Sequence, residues 1–167
     1  MTRKAWAILG SALFLVIAPG FVAVLVPFWI SQWQFRAPFL GAAVTRWAGT
    51  TLIALGAVGL LDSFRRFAVE GLGTPAPVAP PVHLVAGGLY RFVRNPMYVA
   101  VVSAVLGQAL FFANVNLLVY AGCLWLAMHL FVVLYEEPTL SGKFGEEYKV
   151  FRTAVPRWIP RLTPWRG

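Results

Sequence analysis

Arg91-Phe-Val-Arg94-Asn95-Pro96-Met-Tyr98 is a cluster of polar groups, and Glu136-Glu137 is a pair of adjacent carboxylates. Between them the 40 residues from 96 to 135 contain no Asp, Glu, Lys or Arg. Asn95-Pro96 has the form of a helix start, since Asn is a strong N-cap and Pro suits the first helical position. The free N–H groups of such an end carry about half a positive charge, so with Arg91 and Arg94 beside it the site suits an anion. Arg94 and Tyr98 are four residues apart and share one face if the helical path holds. Acids at a helix C-terminus oppose the dipole, so Glu136 and Glu137 need another use. If the apolar run folds back on itself, Arg94, Asn95 and Tyr98 meet Glu136 and Glu137 in one polar pocket. The plain alternative makes the arginines surface anchors and the acids solvated charges.

Such a pocket needs helices to hold it, and the composition says in what medium. Of 167 residues 59% are hydrophobic and only 12% charged, about half the charge of an ordinary soluble domain. The expected fold is all-α, a polytopic membrane bundle of about four transmembrane helices forming a single domain over residues 1–167. The expected spans are 6–30, 39–61, 97–112 and 117–135. The last two, about 24 and 28 Å long, form a hairpin that approaches the ~30 Å hydrocarbon core, with Asn114-Val-Asn116 as its turn. Pro19-Gly20 predicts a kink in the first span, or its division into two. Arg46 can snorkel to the headgroups, and Asp62, Arg65 and Arg66 should close the second span. Residues 71–88 hold four prolines between 75 and 81 and predict an extended connector. After Tyr135 a short amphipathic helix and an irregular tail are expected.

Four spans place both termini on one side. That side collects twelve of the fourteen Lys and Arg residues and all six acids, which makes it the cytoplasmic one by the positive-inside rule. The formal charge of +8 is thereby explained without nucleic acid. One cysteine, Cys123, and two distant histidines, His83 and His129, leave no intramolecular disulfide and no metal site to expect. His129, Cys123 and Trp125 read as packing residues.

The motifs resemble the integral-membrane methyltransferases that include isoprenylcysteine carboxyl methyltransferase and phospholipid methyltransferase relatives. Gly88-Leu-Tyr90-Arg91, Arg94-Asn-Pro-Met-Tyr98, Glu136-Glu137-Pro-Thr-Leu140, Phe144-Gly145-Glu-Glu-Tyr148 and Pro156-Arg157-Trp-Ile-Pro160 stand in that family's order over residues 74–162. The resemblance implies S-adenosyl-L-methionine as cofactor in a cytoplasmic pocket, a lipophilic or lipid acceptor, and a bacterial-type inner membrane. It implies a strand-like segment at His83-Leu84-Val85 along the cofactor, with His83 and Tyr98 at its amino-acid end. Gly88, Tyr90, Asn95 and Pro96 would complete the wall, and Glu136 or Glu137 would hold the ribose or amine. Arg94, Tyr98 and Glu137 are the expected catalytic residues, with Arg94 orienting the acceptor. Glu137→Gln is expected to weaken cofactor binding with little loss of folding.

Two departures bear on the acceptor. Asn95 stands where the carboxyl methyltransferases have His, and Phe151 where many members have a second Tyr. An isoprenylcysteine-type carboxylate and a phospholipid-type amine both stay open. The alternatives are an NADPH-dependent reductase of sterol type, served by the basic tail (Arg152, Arg157, Arg161), and a non-catalytic membrane scaffold.

Overall fold

A computed structural model describes residues 3–70 and 82–167. Among these the chain is helical, with no strand. α1 (Arg3–Gly20) passes through a π-helical turn (Phe21–Leu25) into α2 (Val26–Ser31) without a loop. Pro19 lies in the last turn of α1, where its missing N–H and its ring disturb the i→i−4 ladder. The π turn that follows absorbs the disturbance. Pro19-Gly20 therefore deforms the first apolar run without splitting it. Most of the expected connector, residues 71–81, lies outside the described residues.

α3 (Val44–Val69) begins and ends later than the expected 39–61. Pro38 and left-handed Leu40 and Gly41 (φ 56° and 67°) hold the preceding segment in a short 3-10 turn, Phe39–Gly41. At the other end Arg66 pairs with Asp62 at 3.3 Å and with Glu70, and such i,i+4 pairs prolong a helix. Asp62, Arg65 and Arg66 do not close the helix but lie inside it. Arg46 donates to the Arg36 carbonyl at 2.8 Å and sits over the Phe35 ring.

α4 (Pro96–Phe112) and α5 (Val115–Phe131) form the hairpin, with a turn even tighter than the sequence suggests. Ala113 turns left-handed (φ 54°), and Asn114 Oδ1 accepts from the N–H groups of Asn116 and Leu117 at 3.0 and 3.4 Å. Asn114 is thus a side-chain cap, whereas Asn95 makes no capping bond. α4 and α5 also reach the first kink. Gln108 Nε2 donates to Ala23 O at 2.7 Å, and the Tyr120 hydroxyl donates to Val22 O at 2.8 Å. Carbonyls turned sideways by the π turn gain partners that an apolar medium would not supply.

The amphipathic helix and irregular tail expected after Tyr135 are present, and the helix continues from α5 without a loop. A second π turn (Val132–Glu136) leads directly into α6 (Glu137–Ala154), and the widened turn ahead of Pro138 accommodates its ring and missing N–H within the continuous helix. α6 bends only at Gly145 (φ 52°, ψ −123°), a conformation suited to glycine. Two helical runs are long and apolar enough to cross a membrane, Ile8–Ser31 and Val115–Ala154, and Pro96–Phe112 is a shorter apolar helix.

α3 and α4 pack almost backbone to backbone. A Cβ at Gly49 would lie 2.6 Å from Gly107 O, one at Gly107 2.6 Å from Gly49 O, and one at Gly56 2.7 Å from Ala100 O. In an apolar medium, where helices gain little from the hydrophobic effect, small residues permit the close contact that joins them. Gly56→Val is therefore expected to cost about 1–3 kcal/mol, the usual range for overpacking. Gly122, whose Cβ would meet open space, should accept Ala with a gain of up to about 1 kcal/mol. Thermal unfolding in detergent micelles checks both, and equal midpoints for the two variants would refute the packing account.

Candidate active site

The start of α4 and the junction of α5 with α6 meet as the hairpin requires. The Tyr98 hydroxyl donates to Glu136 Oε2 at 3.0 Å, and Arg94 Nη1 donates to Glu137 Oε1 at 2.9 Å. Successive helical residues point about 100° apart, so the two carboxylates face different surroundings. Glu136 lines a small open cleft, with a cavity volume of about 30 Å³, together with Phe67, Tyr90, Arg94, Asn95, Met97 and Tyr98. Tyr90 is held edge-on against Phe67, ring centroids 5.9 Å apart. Burial pushes its phenol above the ordinary range, which keeps it a neutral hydroxyl.

Glu137 stands behind this wall. Arg157 grips it with two bonds, Nε to Oε1 at 2.6 Å and Nη2 to Oε2 at 3.0 Å, while Arg94 holds it from the α4 side. The Glu137 and Arg94 side chains are only 7% and 9% exposed. Arg94 Nη1 also donates to the Tyr148 hydroxyl at 3.4 Å. The bond to Glu137 raises the Arg157 pKa above its ordinary value, so this guanidinium keeps its charge.

The segment after α6 is strapped along the start of α4. The N–H groups of Arg94, Arg161 and Trp165 donate to the carbonyls of Pro156, Phe92 and Arg91, each at 2.9 Å. Arg91 Nε donates to Trp165 O at 2.6 Å, and Asn95 Nδ2 to Arg157 O at 3.1 Å. This last bond explains why Asn95 does not cap α4: its amide is turned toward the tail.

Among the sequence-derived candidates, Tyr90, Arg94, Asn95, Tyr98 and Glu136 share the cleft. His83 is exposed, and residues 84–86 have no regular structure, so the strand-like segment expected at 83–85 is not formed. Leu84 and Val85 pack with Tyr90, Tyr148, Phe151 and Val155 in a second apolar cluster. Gly88 opens a 3-10 turn (Gly88–Arg91) at φ 54°. It and Pro96 support the cleft without lining it. Phe67 and Met97 do line it and were missed, Phe67 because α3 was expected to end before it. Arg157 stood within a recognised motif, but nothing in its local sequence marked Glu137 as its partner. Among the described residues no three His, Cys, Asp or Glu gather as metal ligands.

The apolar helices are those of a membrane protein, and a charged cleft lies at one end of the hairpin. A sequence model of the phospholipid methyltransferase family matches residues 44–147, and the chain belongs to that family. The match includes α3, in which the motifs alone gave no family signal, and ends before Pro156. Over 80 residues the chain is 35% identical to protein-S-isoprenylcysteine O-methyltransferase of Schizosaccharomyces pombe, covering 47% of this chain and 34% of that protein. It thus spans about a third of the length of this curated relative. The family match favours methyl transfer over the reductase alternative.

The geometry corrects the expectation that Glu137→Gln would spare folding. Removing the charge leaves two guanidinium groups around a neutral amide, one of them buried. Breaking a buried pair from one side costs about 3–5 kcal/mol, so Glu137→Gln should lower the unfolding midpoint strongly. An unchanged midpoint would show that the cluster does not hold the fold.

Proposed function

We propose that the chain is an S-adenosyl-L-methionine-dependent methyltransferase whose acceptor is lipophilic or embedded in the membrane. The observation that carries this reading is the Tyr98–Glu136 pair, which presents a carboxylate to a cleft opposite Arg94. Four spans would cross the membrane, formed by α1–α2, α3, α4 and α5. Both termini and the cleft would lie on the cytoplasmic side of a bacterial-type inner membrane, in one domain over residues 1–167. A polar cofactor then arrives from the cytosol and the acceptor from the bilayer, and a cleft at the boundary serves both.

The side chains fit such a cofactor. Arg94 Nε is buried with no acceptor among the described residues, and an N–H so placed suits a carboxylate. Glu136 suits a cationic amine, and the rings of Tyr90 and Phe67 offer apolar faces to a base. His83, Leu84, Val85, Gly88, Asn95 and Pro96 would shape the approach. Glu137 would act from behind by fixing Arg94. When bound, the cofactor supplies an electrophilic methyl group on a sulfonium. In-line displacement demands alignment more than acid–base chemistry, so the rigid start of α4 is the main contribution of the protein. For an amine acceptor Glu136 can take the proton. For a carboxylate acceptor no base is needed, and Arg94 orients it.

Incubation of the purified protein with methyl-labelled S-adenosylmethionine and a bacterial lipid extract tests the activity. Label is expected in a lipid fraction, and no transfer to any lipid or prenylated acceptor would overturn the reading. Tyr98→Phe should lower transfer about tenfold, the loss of one hydrogen bond to a charged group, while leaving the unfolding midpoint nearly unchanged.

A further inference from the structure

The tail does more than strap α4. Trp158 Nε1 donates to His129 Nδ1 at 3.0 Å, and His129 stacks on Trp125 with centroids 5.3 Å apart. Both partners belong to α5, inside the uncharged run. At 1.5 Å per residue, His129 lies about 10 Å and Trp125 about 16 Å deeper along the helix than Glu136. Trp158 therefore reaches below the level of the charged cluster. Next to it Ile159 is 79% exposed and Leu162 is 99% exposed, between Arg157, Arg161 and Arg166. Exposed aliphatic side chains beside an apolar helix, rimmed by cations, match an anionic leaflet and its acyl chains.

The polar groups agree with this placement. An indole N–H facing lipid would be costly alone, but here it is satisfied by His129 Nδ1. Pro156, Pro160 and Pro164 remove three N–H donors from a non-helical backbone, and the N–H of Arg161 is taken up by Phe92 O. Irregular backbone that faces lipid is tolerated at the headgroup boundary, where water reaches N–H groups such as those of Ile159 and Leu162, and not in the hydrocarbon core.

We infer that residues 158–162 form a leaflet-embedded wedge, with Ile159 and Leu162 against acyl chains and Arg161 and Arg166 among anionic headgroups. The wedge rests on the membrane reading given above, with α5 as a span. It gives the tail a second function, as a lipid-contacting wall of the molecule on the side of α5.

Nitroxide labels in vesicles containing phosphatidylglycerol test it, on a Cys123→Ser background. Labels at Ile159→Cys and Leu162→Cys should be relaxed more by oxygen than by a water-soluble nickel chelate, as should one at Val119→Cys on exposed α5. A label at Lys149→Cys should show the reverse. Lipid-like behaviour at 119 with nickel-accessible 159 and 162 would overturn the wedge alone. An aqueous reading at 119 would remove the span and the wedge together. Trp158→Ala should move the label at 159 toward nickel without affecting that at 119, and no movement would overturn Trp158 as the anchor.

Discussion

The Glu137 carboxylate, enclosed between Arg94 and Arg157, is the contact on which the rest of the site depends. It joins three parts of the chain that are remote in sequence: the start of α4, the junction of α5 with α6, and the tail. Desolvating such a cluster offsets much of its Coulombic attraction, so its net contribution to stability is modest. Its geometric consequence is larger. A bidentate guanidinium–carboxylate pair admits few orientations, and each arginine brings its own segment with it. The position of α4 relative to α6 is set there.

From that constraint the division between the two acids follows. With Glu137 turned to the arginines, helical geometry turns Glu136 to the other side, where Tyr98 meets it in the cleft. One carboxylate holds the structure and its neighbour remains available to a ligand. The close packing of α3 against α4 supports the other wall, since Phe67 reaches the cleft only because the helix continues past Asp62. Gly49, Gly56 and Gly107 therefore influence the site without touching it.

The hairpin and the meeting of Arg94 and Tyr98 with Glu136 and Glu137 were legible in the sequence, because a long uncharged run bounded by opposite charges has few ways to fold. The continuity of α5 into α6 was not, since the change from apolar to polar composition after Tyr135 reads as the end of one element, and the π turn that joins the two leaves no pattern of its own. The end of α3 was misjudged because charged residues read as a boundary, whereas Asp62, Arg66 and Glu70 pair along the helix. Asn95 read as a cap, but its amide has a partner 62 residues away. The roles of Arg157 and Trp158 depend on contacts across the fold and left no periodic signal.

The proposed cofactor links membership of the phospholipid methyltransferase family to the cleft, and binding tests that proposal most directly. Calorimetric titration of the protein in lipid nanodiscs with S-adenosylhomocysteine should show binding that Glu136→Gln weakens about tenfold, equivalent to about 1.4 kcal/mol. NADPH should not bind. Undiminished affinity in the Glu136→Gln variant, or binding of NADPH in place of S-adenosylhomocysteine, would contradict the account.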